Sequence, residues 1–166
     1  MFNKKQIKAI IDTLKDTAID GRPALQQVFE QGGYLWATNG YIALELGQVK
    51  DELKGKCIKL DALVGWYGTH KAKDTTTLTE LMVDNTMGEP DMCKLLHINF
   101  VEAHNPMFDM DMMNLATKFL GVSRIALEEA ENSVGSKCYR VKPLEHMHVA
   151  HKAMEIKAYV MGLAKK

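Results

Sequence analysis

The sequence holds only three cysteines and four prolines in 166 residues, and neither sign of charge is in excess. Cys57, Cys93 and Cys138 are odd in number, widely spaced and without a Cys-x-x-Cys pair. That pattern argues against a disulfide frame or a zinc site and fits reduced thiols in a cytoplasm. Lysine plus arginine and aspartate plus glutamate each number 21, so the formal net charge is zero. A chain that is basic throughout for nucleic acid, or one with a long acidic tail, is thereby excluded, although a local patch is not. No stretch reaches the roughly 18 consecutive apolar residues that a membrane span requires. The opening Met1-Phe2-Asn3-Lys4-Lys5 leads into an amphipathic pattern and not into a signal peptide, so a cytoplasmic protein without membrane partners is expected. Nucleophile motifs, glycine-rich phosphate loops and a His-Glu-x-x-His element are missing as well. The expectation is therefore a protein that is not an enzyme and needs no cofactor or metal.

What is present suits one domain. Apolar residues make up 46% and charged residues 25%, enough for a core under an ordinary polar surface. Ile7, Ile10, Ile11 and Leu14 follow the i, i+3, i+4, i+7 spacing of one helix face. Asn3 is a good N-cap with Gln6 at the capping-box position, and the helix should end near Asp16, before Asp20-Gly21. The period then changes. Ala24 to Phe29 and Tyr34 to Thr38 read as strands, and Asn39-Gly40 is a two-residue hairpin signal. Tyr41 to Leu46 is a third strand, with Tyr41, Ala43 and Glu45 on one face and Ile42, Leu44 and Leu46 on the other.

A similar pattern returns later. Asp109 can cap a helix whose Met112, Leu115, Ala116 and Phe119 share a face, with Gly121 as its stop. Ser123 to Glu129 and Lys137 to Lys142 read as strands around a turn at 132–135. Between these units the reading is coarser. Cys57 to Leu60 is a short strand, Asp61 to Tyr67 a helical turn, Thr77 to Val83 a strand, and Lys94 to Ile98 an extended piece. From Leu144 to Ala164 the pattern reads as a helix with two apolar stripes. Met147, Ala150, Met154, Ala158 and Met161 form one, and Val149, Ala153, Ile156, Val160 and Leu163 the other. A surface helix has one stripe, so this helix either docks on its own domain and meets a partner too, or is deeply buried.

Three stretches together resemble the bacterial DNA sliding clamp, the β subunit of the replicative polymerase. They are Arg22 to Glu30 with Gly33 to Leu44, then Gly88 to Leu96, then Phe108 to Pro143. The first is similar to the strand pair ending in an A-T-D-G-H-R-L turn, the second to a G-x-F-P-D-Y segment, and the third to the closing half-domain. The resemblance implies an α+β, clamp-like domain over 1–143, with two pseudo-repeated helix-plus-antiparallel-meander halves at about 2–47 and 106–143. The intervening stretch is 48–105, and 144–166 is an added C-terminal docking or interaction helix. A clamp chain of this family has three such domains, whereas this chain has room for one, so a ring would need about six copies and a homo-oligomer is expected.

The resemblance also implies sites. Clamp rings line their channel with basic helix faces, because phosphate contact needs lysine or arginine. The matching candidates for double-stranded DNA are Lys4, Lys5, Lys8 and Lys15 on the first helix and Lys118 on the second; the alternative is an ordinary solvated face. The family's pocket for short peptides falls on Thr38, Gly40, Tyr41, Ile42 and Ala43. Here Asn39 stands for the acidic residue, Tyr41 for the histidine and Ile42 for the arginine, and Tyr41 and Ile42 are read mainly as packing residues. Val149, Ile156, Val160 and Leu163 form the candidate partner stripe. His146, His148 and His151 are read as surface histidines beside an apolar stripe and not as metal ligands. Asp109 and Asp111 are read as capping groups, and Met110 as the exposed member of a methionine-rich stretch. Two functions follow. One is a non-enzymatic, sliding-clamp-like replication accessory that tethers a polymerase-like partner to DNA. The other is a phage-encoded inhibitor or adaptor with a repurposed clamp fold, acting on a host replication or defence complex, an anti-CRISPR for instance.

Overall fold

A computed structural model describes residues 1–19, 23–131, 135–144 and 156–162. The architecture is α+β: three α-helices and a nine-stranded antiparallel sheet, with a two-stranded pair beside it, among the described residues. Helix α1 runs from Lys4 to Ile19, α2 from Leu60 to Thr69 and α3 from Met110 to Leu120. Strand β1 (Phe2–Asn3) pairs with β6 (Thr75–Thr76). The large sheet has the order β7-β5-β2-β3-β4-β11-β10-β9-β8. Its members are β2 (Gln27–Gln31), β3 (Tyr34–Thr38), β4 (Ile42–Gln48), β5 (Lys56–Lys59), β7 (Val83–Asp84), β8 (Val101–Glu102), β9 (Ile125–Glu131), β10 (Lys137–Pro143) and β11 (Lys157–Met161).

Local chemistry explains the helix ends. The Asn3 amide donates to Gln6 Oε1 at 3.1 Å and the Gln6 amide to Asn3 Oδ1 at 2.9 Å, a reciprocal capping box. Gln6 Nε2 also donates to the Phe119 carbonyl at 3.0 Å, tying the start of α1 to the end of α3. The two helices therefore lie side by side in opposite senses. Asp109 Oδ1 accepts the amides of Asp111 and Met112, so its carboxylate serves as the α3 cap. Gly121, at φ 71°, closes α3 in the left-handed conformation that glycine adopts without a Cβ clash. Helix α1 continues past the expected end near Asp16. The fully buried α3 residues are Met113, Ala116, Phe119 and Leu120, with Met112 and Leu115 half-buried, so the core face is turned slightly from the expected one.

Alternation sets the two faces of the sheet. Ile42, Leu44, Leu46, Leu35, Ala37, Ala158 and Val160 join Ile7, Ile10, Leu14, Leu63, Ala116 and Phe119 in the main core on the helical side. Ala43, Trp36, Phe29, Cys57, Cys138 and Tyr159 point the other way, where Met92, Leu95 and Phe100 cover them.

Several expected elements differ. The largest correction is at the C-terminus: 157–161 is not part of a helix but strand β11, paired with β4 on one side and β10 on the other. Both faces of this strand are covered, so its apolar residues run without the alternation that marks a half-buried strand. The Thr77 to Val83 stretch is interrupted: Leu78 sits at φ 72° and a 3-10 turn follows at Thr79–Leu81. A 3-10 turn at Cys93–Leu96 replaces the extended piece, and another at Pro23–Leu25 precedes β2.

Candidate peptide pocket on the open face of the sheet

The turn after β3 is built by side chains. Asn39 Oδ1 accepts the amides of Tyr41 at 2.8 Å and Ile42 at 3.0 Å, while Thr38 Oγ1 donates to the Ile42 carbonyl at 2.7 Å. Gly40 takes φ 93° and its amide donates to Thr38 Oγ1. The connection thus spans Asn39, Gly40 and Tyr41, one residue more than the Asn-Gly signal suggests, because the Asn39 side chain supplies bonds that a tighter backbone turn would make. Asn39 Nδ2 points at Met112 Sδ, 3.4 Å away on α3, a donor role that an aspartate could not fill.

Opposite this turn, the segment 85–92 is pinned by two glutamines of β2. Gln27 Nε2 donates to Asn85 Oδ1 at 2.8 Å and Gln31 Nε2 to the Pro90 carbonyl at 2.8 Å. Gln31 Oε1 also accepts the Met92 amide. Neither glutamine could be assigned this task from local sequence, since the partners lie 58 and 59 residues away.

Between the turn and this segment opens a cavity of about 370 Å³. Thr38, Gly40, Ile42 and Ala43 line one side, Pro90, Met92 and Leu95 another, and Cys138, Tyr159 and Met161 form much of the floor. Asp91, Lys94, Glu131 and Ser136 bring polar groups to it. Four of the five expected peptide-pocket residues are therefore together. Tyr41 is the exception: it is 61% exposed and outside the lining, so it is not a packing residue, and its carbonyl instead accepts the Met161 amide at 2.8 Å. Ile42 is buried in the main core, as its alternation requires. Burial raises the Cys138 thiol to about 11, against the opposing charge of Lys94, so Cys138 presents a thiol and not a thiolate to the cavity at neutral pH.

Tyr159 divides this cavity from a second one of about 450 Å³, lined by Gly32, Tyr34, Leu95, Leu96, His97, Arg140, Lys157 and Tyr159. The Tyr159 hydroxyl donates to the buried Glu45 at 3.1 Å, and burial followed by this carboxylate keeps the phenol protonated far above its ordinary range. Arg140 lies 4.5 Å over the Phe100 ring and is paired with Glu128 at 3.0 Å.

The other expected sites are distributed differently. Lys5, Lys8, Lys15 and Lys118 are exposed, but Lys8 pairs with Asp12, and Lys4 stands 4.3 Å over the Tyr67 ring. Lys118 shares the cleft between α1 and α3 with Asp12, Asp111, Met112 and Asn114. Ile156 and Val160 are buried in the main core and cannot form a partner stripe, while Val149, Leu163 and the three histidines at 146, 148 and 151 lie outside the described residues. Met110 is exposed at 64%. Among the described residues no group of three His, Cys, Asp or Glu side chains gathers as a metal site, and no helix is long and apolar enough to cross a membrane.

The fold and the site thus define an α+β domain carrying an apolar, polar-rimmed pocket on the side of its sheet that the helices leave open. Comparison with known proteins gives no match to a family model, a curated protein or a solved structure.

Proposed function

We propose that this chain is a non-enzymatic, sliding-clamp-like accessory that captures a short segment of a protein partner and tethers it to DNA. The observation that carries the reading is the pocket. It is built on Thr38, Gly40, Ile42 and Ala43, the positions where the clamp resemblance places peptide capture. Its size and mixed lining suit an apolar peptide segment, held by side chains below and polar groups at the rim. The topology lends support as well. Each of α1 and α3 is followed by a three-stranded antiparallel meander, β2-β3-β4 and β9-β10-β11, and the last strands of the two meanders pair with each other. This order is compatible with the two-half arrangement that the clamp resemblance implies, with the difference that the second unit takes its last strand from 157–161 and not from within 106–143.

Copies of the domain would join through the sheet edges. Among the described residues, strands β7 and β8 each have one unpaired side, and they carry exposed valines, Val83 and Val101. The α1 and α3 face would lie against DNA through Lys5, Lys15 and Lys118. The acids on the same face, Asp12 and Asp111, favour the second reading, a protein-binding adaptor or inhibitor that keeps the fold without contacting DNA. Light scattering with and without duplex DNA separates the two. A closed oligomer whose salt-sensitive DNA binding falls in Lys5→Glu, Lys15→Glu and Lys118→Glu supports tethering. A monomer or dimer with no DNA affinity at low salt overturns it and leaves the adaptor.

A further inference from the structure

The floor of the pocket changes character along one strand. Lys157, Tyr159 and Met161 occupy alternate positions of β11 and share the outward face, opposite the buried Ala158 and Val160. Met161 belongs to the apolar cavity, Lys157 to the second cavity, and Tyr159, with Leu95, borders both. Alternate residues of a strand are about 7 Å apart, so the two cavities are separated by about two residues of an extended chain.

The second cavity has a cationic lining. Lys157 and Arg140 reach it beside His97, and among the described residues its lining includes no carboxylate. Two acids share this sheet face without entering the lining: Glu128, opposite Arg140 on β9, pairs with it, and Glu45, opposite Lys157 on β4, is buried beneath the Tyr159 hydroxyl. Lys157 is exposed and has no ion-pair partner among the described residues. Arg140 is immobilised by Glu128 and the Phe100 ring, its charge already compensated by that carboxylate, so Lys157 is the cation left to choose between ligands.

We infer that the segment captured here is an extended acidic-apolar peptide, its apolar side chains in the first cavity and a carboxylate side chain about two residues away in the second. The inference rests on the peptide-capture reading and adds what that reading lacks, a rule for which segments are chosen. The apolar cavity supplies affinity to many sequences, whereas the cationic one separates acidic from neutral and basic neighbours.

Fluorescence anisotropy on the full chain tests it. The probes are amidated, fluorescein-labelled serine-glycine peptides with two leucines at alternate positions and an aspartate two residues beyond, placed on either side. Their counterparts replace the aspartate by asparagine or lysine, or both leucines by serine. The aspartate peptide in one orientation should bind about fivefold tighter than its asparagine form, at the upper end for a partly exposed ion pair. Lys157→Met should bring that ratio to one, and Lys157→Glu should reverse the preference toward the lysine peptide. Equal binding of the aspartate and asparagine peptides, with loss only in the serine control, overturns the inference and leaves peptide capture standing. No binding by any leucine peptide overturns both.

Discussion

Replacing Val160 by alanine distinguishes a strand in the sheet from an exposed helical stripe, because the two give opposite signs. Val160 is fully buried in β11, between β4 and β10, and packs in the main core. Two methyl groups are lost, about 1.6 kcal/mol at roughly 0.8 kcal/mol per buried carbon. The cavity left under a well-packed sheet raises this to about 2–3 kcal/mol. For a chain of this size each kcal/mol moves the midpoint by about 2–4 °C, so Tm should fall by about 5–10 °C. On an exposed helix the same change would stabilise slightly, since alanine exceeds valine in helix propensity by about half a kcal/mol. Thermal unfolding followed by far-ultraviolet circular dichroism, and by the fluorescence of the buried Trp36 and Trp66, reads the outcome. A Tm unchanged or raised in Val160→Ala would refute the strand assignment and its energetics.

Removing the α3 cap with Asp109→Ala should cost about 1 kcal/mol in urea unfolding, because the Asp111 and Met112 amides lose their acceptor. Acid should destabilise the fold through Glu129 and Asp84, whose carboxyls are held below their ordinary values by hydrogen bonds from Lys137 and Lys56. A depressed folded-state pKa gives stability that is present above the unfolded value, 4.5 for Glu129, and is lost as pH falls through the folded one. The slope of stability against pH below that value should therefore flatten in Glu129→Gln, and an unchanged slope would exclude the Lys137 pair as its source. In a Cys93→Ser background, iodoacetamide should label Cys138 far more slowly in the native protein than in urea, as burial lifts the thiol to about 11. Mass spectrometry of the labelled peptides measures this, and equal rates would count against the buried environment.

The parts of the fold legible in sequence are those settled within a few residues. Asn3 and Gln6 announce a capping box that forms, and Asp109 announces a cap that forms. The alternation of Ile42, Leu44 and Leu46 against Ala43 separates the two sheet faces correctly, because β4 has different neighbours on each side. What stayed illegible depends on distant partners. Gln27 and Gln31 look like surface residues of a strand until the segment 85–92 is placed on them. The pocket turn was legible as a turn, but its opposite wall and floor come from residues far along the chain, as the Tyr159 to Glu45 bond across 114 positions illustrates.

Strand β11 explains both the misreading and the site. Ile156, Ala158 and Val160 fill the core beside the helices, while Tyr159 and Met161 face the pocket, so almost every position is apolar and the period of two is erased. The feature that hides the strand is thus a consequence of its two duties. Its two edges join the strands of β2-β3-β4 to β10 and β9 in a single sheet while its inner face fills the core, and its outer face supplies the floor on which a peptide would lie. Substitutions on the two faces should therefore separate: Val160 governs stability, whereas Lys157, exposed at the end of the outward row, governs choice of ligand. Tyr159 belongs to both sets, since its ring packs 6.4 Å from Trp36 and 5.8 Å from Phe100 while its hydroxyl secures Glu45. A change there would alter fold and binding together, which is why the end of the strand, and not its centre, is the place to test recognition.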